Sequence, residues 1–190
     1  KNSDGEIQES EALEITYLTI PYKNISNLTG IEFFKNLSVL ECHDNNLTSL
    51  DVNMLTKLTH LDCADNQLTS LDASNLSNLS TFYCYDNQLS SINVSNLSIL
   101  TKFACGRNQL TNLNISSLVN LEYLYCDNNQ LSSLDTRNLK NLIVFTCTNN
   151  PLLEVIYVKN GIYNKNNFNM FEGNSNLKYI CTDASEISKL

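Results

Sequence analysis

The sequence predicts a solenoid of stacked short coils, mostly β in structure, in which one strand of each coil joins a parallel sheet. Two observations carry this prediction. Six of the seven cysteines recur every 21 residues, from Cys42 to Cys147. Each lies in the same frame, Leu-x-x-(Leu/Phe)-x-Cys-x-x-Asn-x-Leu-x-x-(Leu/Ile), of which residues 58–71 are one copy. A fixed period of this length is typical of one small structural unit that is repeated and stacked.

The first half of the frame predicts the strand. Positions are counted from the first leucine, so that the cysteine occupies position 6. The apolar residues at positions 4 and 6 have the period of two expected of a short strand with both side chains facing inward. Positions 3, 5 and 7 then face solvent. Stacked coils bring such strands side by side at about 4.8 Å, which gives a parallel sheet.

The second half of the frame predicts a buried turn and a short return segment. Asparagine recurs at position 9 in all six copies, at Asn45, Asn66, Asn87, Asn108, Asn129 and Asn150. A buried turn leaves backbone groups unpaired, and an inward carboxamide can both donate hydrogen bonds to them and accept from them. The return segment is expected to be a short extended or 3₁₀ piece, because 21 residues leave no room for a long helix.

This frame resembles the leucine-rich repeat family, in particular the short, cysteine-containing repeats of internalin-like bacterial proteins. The resemblance covers residues 15–152, and its first copy has one extra residue that we expect in the first turn. It implies a right-handed superhelix, classed α/β by convention, with a concave parallel sheet. We therefore predict an N-terminal cap over residues 1–14, about seven coils over 15–152 and a C-terminal cap over 153–190. In that cap, residues 156–158 are expected to form a final strand, 160–176 a polar loop, and 177–180 a segment that closes the sheet edge.

The ladder cysteines are predicted to be free thiols that fill the core. In-register side chains have nearly parallel Cβ directions, which do not suit disulfides, and the chain has no Cys-x-x-Cys pair. A thiol behaves as a small apolar group where a leucine would overfill the coil. Cys181 lies outside the ladder, so a bond to Cys147 or to an outside partner stays open.

Residues 2–11 fit most of a calcium-binding loop of the EF-hand or dockerin kind. The candidate ligands are Asn2, Asp4, Glu6 and Glu11. The first loop position would fall before Lys1, so we expect Ca²⁺ in a longer parent polypeptide and no resident cofactor in this chain. The alternative is an acidic helix over residues 5–12 with Asp4 as its N-cap.

The predicted ligand-binding site lies on the concave face, where the small residues Ala104 and Gly106 leave a dip between two pairs of tyrosines. Tyrosine combines a large contact area with a hydrogen-bonding tip. The candidate residues are Tyr83, Tyr85, Lys102, Arg107, Tyr123 and Tyr125. The alternative is cross-strand aromatic pairing that only stiffens the sheet. A metal site at His43 and His60 with Glu41 and Asp62 is a weaker hypothesis than solvated surface charge.

Charge and composition limit the classes of partner and activity that we expect for this chain. The net charge of −8 and the pI of about 4.6 argue against nucleic acid and anionic membranes as partners. The sequence has no apolar run long enough for a membrane span, and it shows no oriented nucleophile or phosphate-binding loop, so we expect no enzyme. Two hypotheses remain: a monomeric recognition module for a protein or surface glycan, and a structural spacer without a ligand. The family resemblance implies a large bacterial protein that is secreted or held at the cell surface.

Overall fold

The computed structural model describes residues 7–158 and 170–181. Seven parallel strands form one sheet in the order β1-β2-β3-β5-β7-β8-β10. The strands each span positions 3–5 of the repeat, and they pair in register with position 4 opposite position 4. Their bounds are Tyr17–Thr19 (β1), Val39–Glu41 (β2), His60–Asp62 (β3), Thr81–Tyr83 (β5), Lys102–Ala104 (β7), Tyr123–Tyr125 (β8) and Val144–Thr146 (β10). The predicted parallel sheet and the mostly β solenoid are confirmed.

The return segments are short and mainly extended. A two-residue pair, Leu71–Asp72 (β4) and Ile92–Asn93 (β6), forms a second small sheet. A third sheet has the order β12-β11-β9, with bounds Ser133–Asp135 (β9), Val155–Tyr157 (β11) and Tyr179–Cys181 (β12). The described helices are α1, Glu9–Ala12, and one 3₁₀ turn, Ile31–Phe33.

The core is a continuous stack of leucines and cysteines. All six ladder cysteines are fully buried, and all seven cysteines are free thiols. Two adjacent coils carry phenylalanine at position 4, and the rings of Phe82 and Phe103 stack with centroids 5.5 Å apart. Some thiols also find a partner: the Cys126 Sγ donates to the Thr146 carbonyl at 3.3 Å. The thiols therefore fill the core without disulfides, and Cys181 is free and half-buried.

The position-9 asparagines tie each coil to its neighbours. The Asn66 Oδ1 accepts the Leu47 N–H at 2.9 Å, while its Nδ2 donates to the Cys42 carbonyl of the preceding coil at 3.0 Å. The same Nδ2 also donates to carbonyls of its own turn, at Cys63 and Ala64. Each carboxamide thus satisfies both kinds of buried backbone group, as the sequence predicts.

The first turn accommodates the extra residue of the divergent coil. It contains two left-handed residues, Tyr22 (φ 56°) and Asn24 (φ 55°), where each later turn contains one. The Asn45 Oδ1 accepts both the Lys23 and the Ile25 N–H, at 3.1 and 2.9 Å. The next asparagine of the ladder therefore holds the enlarged turn in place.

The repeat pattern continues into the C-terminal segment further than the sequence indicates. The Cys147 N–H donates to the Met170 carbonyl at 3.3 Å, so this residue extends the hydrogen bonding of the concave side. Asn174 takes the place of a ladder asparagine, accepting the Asn150 N–H at 2.7 Å and donating to the Cys147 carbonyl at 3.1 Å. The described part of the predicted polar loop, residues 170–176, is therefore one more turn of the stack.

The strand predicted over residues 156–158 and the edge-closing segment predicted over residues 177–180 both contribute to the sheet on the return side. β11 lies in the middle of the return-side sheet between β9 and β12, so it is not a final strand. β12 forms the edge of that sheet. Sequence alone does not show which side of the solenoid each segment joins, because both sides offer unpaired strand edges at the end of a stack.

Candidate ligand-binding surface

A groove of about 860 Å³ opens on the concave sheet, around the strands β5, β7 and β8 and the turns that follow them. It is lined by Asp62, Tyr83, Tyr85, Asp86, Ala104, Gly106, Arg107, Tyr125, Asp127, Asn128, Thr146 and Thr148. The groove brings together four of the six predicted ligand-binding residues, the exceptions being Lys102 and Tyr123. The Lys102 Nζ lies 5.6 Å from the centre of the Tyr123 ring, so these two side chains form a cation–π pair with each other beside the groove.

The floor of the groove is low because its residues are small and the strands are close. Ala104 and Gly106 are buried at the centre of the sheet. A Cβ atom at Gly106 would lie 3.2 Å from the Asp127 carbonyl oxygen, closer than most real contacts of a Cβ. The close approach of the neighbouring backbone therefore favours glycine here, and the predicted dip is present.

The tyrosines are not paired with one another. Within the described residues, no ring contact joins two of Tyr83, Tyr85 and Tyr125; the ring partner of Tyr83 is His60, in an edge-to-face contact at 5.8 Å. Tyr125 is exposed, and Tyr83 and Tyr85 are half-buried. The alternative hypothesis, that these tyrosines only stiffen the sheet by pairing across strands, is therefore not supported. Their surfaces face the groove.

The wall on the N-terminal side of the groove is negatively charged. Burial raises the pKa of the Asp62 carboxyl, against the lowering effect of the Ala64 N–H and of His43 and His60. Burial and the carboxylates of Asp62 and its neighbours also raise the pKa of Tyr85. Burial is the larger cause, and the added effect of the carboxylates reflects the negative charge on this part of the surface.

The opposite wall is held by an internal hydrogen-bond network. The Asp127 Oδ1 accepts the Thr148 N–H at 2.8 Å and the Thr148 hydroxyl at 3.0 Å, and its Oδ2 accepts the Thr146 hydroxyl. Sequence reasoning missed these three residues as part of the site. These donors are neutral, so the carboxylate keeps its charge while the hydrogen bonds fix its position in the wall.

Position 8 of the repeat is a left-handed turn residue, a feature that the hydrophobic pattern of the sequence does not indicate. Its φ angles run from 50° to 54°, at Asp44, Asp65, Asp86, Arg107, Asn128 and Asn149. Asp and Asn tolerate this conformation better than other side chains with a Cβ. Arg107 is the exception, and its Nη1 lies 3.5 Å from the Asp86 carboxylate at the groove. Backbone strain retained at a surface groove is typical of a functional position.

Comparison with known proteins supports the fold. The profile of the Leucine Rich repeats (2 copies) family matches residues 56–99. The functional domain of InlJ from Listeria monocytogenes, which includes a cysteine ladder, is 25% identical with a TM-score of 0.52, over 92% of this chain and 51% of that one. The chain has the fold of a leucine-rich repeat solenoid. The predicted resemblance to bacterial cysteine-ladder repeats is confirmed.

Other internalins have the same fold. The internalin inlF of Listeria monocytogenes is 23% identical with a TM-score of 0.66, over 92% of this chain and 55% of that one. Internalin C2 (inlC2) of the same species is 25% identical with a TM-score of 0.54, over 93% and 84%. The solenoid thus spans about half the length of the InlJ and inlF structures. A search of curated proteins found no match.

The predicted calcium ligands of the solenoid's N-terminal segment are only partly described. Asn2, Asp4 and Glu6 lie outside the described residues. The Glu11 carboxylate accepts the Gln8 N–H at 3.1 Å in a capping box, and α1 begins at Glu9 with Gln8 as its N-cap. The described helix is therefore shorter than the alternative with Asp4 as cap. Glu11 has a structural role at its start.

The described residues contain no group of three or more His, Cys, Asp or Glu side chains arranged to hold a metal ion. The His43 Nδ1 lies 2.8 Å from the Asp44 carboxylate, and the His60 Nε2 lies 3.8 Å from Glu41. The two histidines thus pair with different carboxylates and do not converge.

The described part of the chain also has no helix long and apolar enough to cross a membrane.

Proposed function

We propose that this leucine-rich repeat solenoid is a non-enzymatic recognition module that binds a protein or a surface glycan through its concave groove. The observation that carries the proposal is the set of accessible tyrosine rings around a floor of small residues. The strands beneath are hydrogen-bonded on both sides, so the groove needs little ordering when a ligand binds. Solenoids commonly use such concave surfaces for binding proteins.

The tyrosines and Arg107 have separate roles in this proposal. Tyr83, Tyr85 and Tyr125 supply contact area and hydroxyl groups, the chemistry that dominates many binding sites. Arg107 supplies hydrogen-bond donors at the edge of the groove, where 69% of its side-chain surface is exposed. The Lys102 and Tyr123 pair lies beside the groove and would contact only a ligand larger than the groove itself.

The second candidate is a structural spacer that holds other parts of a longer protein apart. The favouring observation is the continuous asparagine ladder, which joins every coil from Asn45 to Asn174 by buried hydrogen bonds. A stack tied in this way is stiff over its whole length. For both functions we propose a monomeric solenoid that is secreted or displayed at the bacterial cell surface.

The experiment compares three proteins on arrays of glycans and of purified extracellular proteins. The test variant carries Tyr83→Ala and Tyr125→Ala, and the control carries Tyr17→Ala and Tyr179→Ala, which are 69% and 65% exposed and lie outside the groove. Loss of one central aromatic contact costs about 2 kcal/mol, which is about 30-fold in affinity, so the double variant should bind between about 30-fold and about 1000-fold more weakly. The control should bind like the unmodified protein, and both should melt as it does.

Two outcomes contradict the recognition proposal in different ways. If the test variant keeps its affinity, the binding site lies elsewhere on the solenoid. If the unmodified protein binds nothing on either array, the spacer becomes the better account.

A further inference from the structure

The N-terminal wall of the groove carries carboxylates whose charge is not neutralised. The hydrogen-bond partner of the Asp62 side chain is the Ala64 N–H at 3.1 Å, and no ion pair involves it among the described residues. Asp65 lies beside the groove and is not one of its lining residues, but its charge acts on Tyr85, which is. Within the same part of the chain, the Asp65 side chain has neither a hydrogen bond nor an ion pair. Asp86 lies on the C-terminal side of these two and pairs with Arg107.

The basic side chains near this wall are already engaged elsewhere. Lys102 lies over the Tyr123 ring, and Arg107 pairs with Asp86. His43 bonds to Asp44 at 2.8 Å, and His60 lies nearest Glu41. Asp62 and Asp65 therefore carry negative charge that no ion pair in the described part of the chain offsets and that the histidines reduce only at longer range. Such charge is complementary to a cation.

The groove offers a cation more than charge. The rings of Tyr83 and Tyr85 line the same space as the Asp62 carboxylate. A guanidinium or ammonium group is attracted to the face of a tyrosine ring and forms its strongest hydrogen bonds with carboxylates. A neutral sugar can donate hydroxyl hydrogen bonds, but it would leave the mutual repulsion of the carboxylates in place.

We propose that the partner is a protein segment that inserts an arginine or lysine side chain into the groove, with its cationic group against Asp62 and over the rings of Tyr83 and Tyr85, where the charge of the neighbouring Asp65 adds to the attraction. The inference rests on the proposed recognition function and names its partner class. The exposed acidic surface and the net charge of −8 favour the same class of partner during encounter.

The test uses a blocked, glycine- and serine-rich peptide that contains several arginines, and a second peptide with citrulline in their places. Citrulline has nearly the shape of arginine but no charge. Binding is followed by NMR through the amide signals of Ala104 and Gly106 at the groove floor, so that affinities in the millimolar range are measurable. The unmodified protein should bind the arginine peptide at least about tenfold more tightly than the citrulline peptide.

The chain offers a closely matched control for the acidic wall. The test variant is Asp62→Asn with Asp65→Asn, and the control is Asp51→Asn with Asp72→Asn on the return side. Each changes the net charge from −8 to −6, since two carboxylates are neutralised. Other repeats already carry asparagine at equivalent places. Asn128 and Asn149 have the left-handed backbone of Asp65. On the return side, Asn93 and Asn114 accept a turn N–H in their own coils, as Asp51 and Asp72 do in theirs.

The proposal predicts that the wall variant binds the arginine peptide about tenfold more weakly and that the return-side variant stays within about twofold of the unmodified protein. Equal losses in both variants, equal affinity for the two peptides, or no measurable binding would each overturn it. A neutral oligosaccharide could instead bind the wall variant as tightly as the unmodified protein and fail to bind the variant with Tyr83→Ala and Tyr125→Ala. That result would overturn the proposal of a cationic partner but would still support the groove as the binding site. The reverse pattern, sensitivity to the wall alone, would contradict the groove itself.

Discussion

Raising the pH is expected to unfold this solenoid through its cysteine ladder. Burial raises the pKa of all six ladder thiols, that of Cys42 to about 12 from an ordinary value of 9.0. The folded state therefore keeps protons that the unfolded state releases. The contribution of the thiols is fully present below about pH 9 and is lost as the pH rises from there towards the folded-state pKa.

The size of the effect follows from the number of thiols. Above the unfolded pKa, each buried thiol lowers the free energy of unfolding by about 1.4 kcal/mol per pH unit. The six together cost about 8 kcal/mol by pH 10, which equals the whole stability of many domains, about 5–15 kcal/mol. We expect a cooperative transition near pH 10, at a pH where most globular domains remain folded.

The assay is urea unfolding at a series of pH values from 7 to 10.5, with a non-thiol reductant present to prevent disulfide formation. The slope of the unfolding free energy against pH counts the protons released, and it should approach about six. Tyrosinate absorbance separates any contribution from the phenols. Cys84→Ala should lower stability at every pH through its cavity, but it should also reduce the slope by about one proton. A free energy that stays constant up to pH 10, or a slope of fewer than two protons, would refute the reasoning.

Three further predictions concern single sites. Arg107→Asn should raise the urea midpoint and increase the free energy of unfolding by about 0.5–1 kcal/mol, because asparagine tolerates φ near 51° better than arginine does. An unchanged or lower midpoint would show that the backbone at Arg107 is not strained. Asn87→Ala should cost about 1–3 kcal/mol, because it leaves the buried Leu68 N–H unpaired and removes one of the two amide donors to the Cys63 carbonyl. Asn78→Ala, whose exposed amide bonds to Thr56, should cost less than about 0.5 kcal/mol, and equal losses would mean that the ladder amide is not special. Alkylation detected by mass spectrometry should leave Cys84 unmodified until denaturant is added, and rapid labelling of the native protein would show that the core is accessible.

The cost of replacing a ladder cysteine by serine depends on whether the buried hydroxyl finds an acceptor. The Sγ atoms of Cys63, Cys126 and Cys147 lie 3.3–3.5 Å from a carbonyl oxygen of the next coil. Serine at these three positions would retain an acceptor, so the larger loss is expected at Cys84 and Cys105, where the structure shows no such bond.

Most of the fold could be read from the sequence because it is encoded locally and repeated. The spacing of Leu58, Leu61 and Cys63 sets which side chains face inward, and the next repeat, 21 residues later, has the same spacing and therefore the same inward-facing positions. In-register stacking then follows, since any other alignment would break the leucine rows and the Asn66 hydrogen bonds together. The concave site could be located for the same reason: positions on the outer face of a regular sheet form columns.

What the sequence could not show depends on contacts between coils. The columns placed Lys102 and Tyr123 with the other site residues, but the two side chains pair with each other. Asn174 was missed because it lies 24 residues after Asn150, outside the period. The strain at Arg107 was missed because a backbone angle set by the turn leaves no mark on hydrophobic periodicity. The repeated sequence determined the solenoid, its core and its exposed face; only the packed structure decided which side chains remain free to bind, because that depends on neighbours that are distant along the chain.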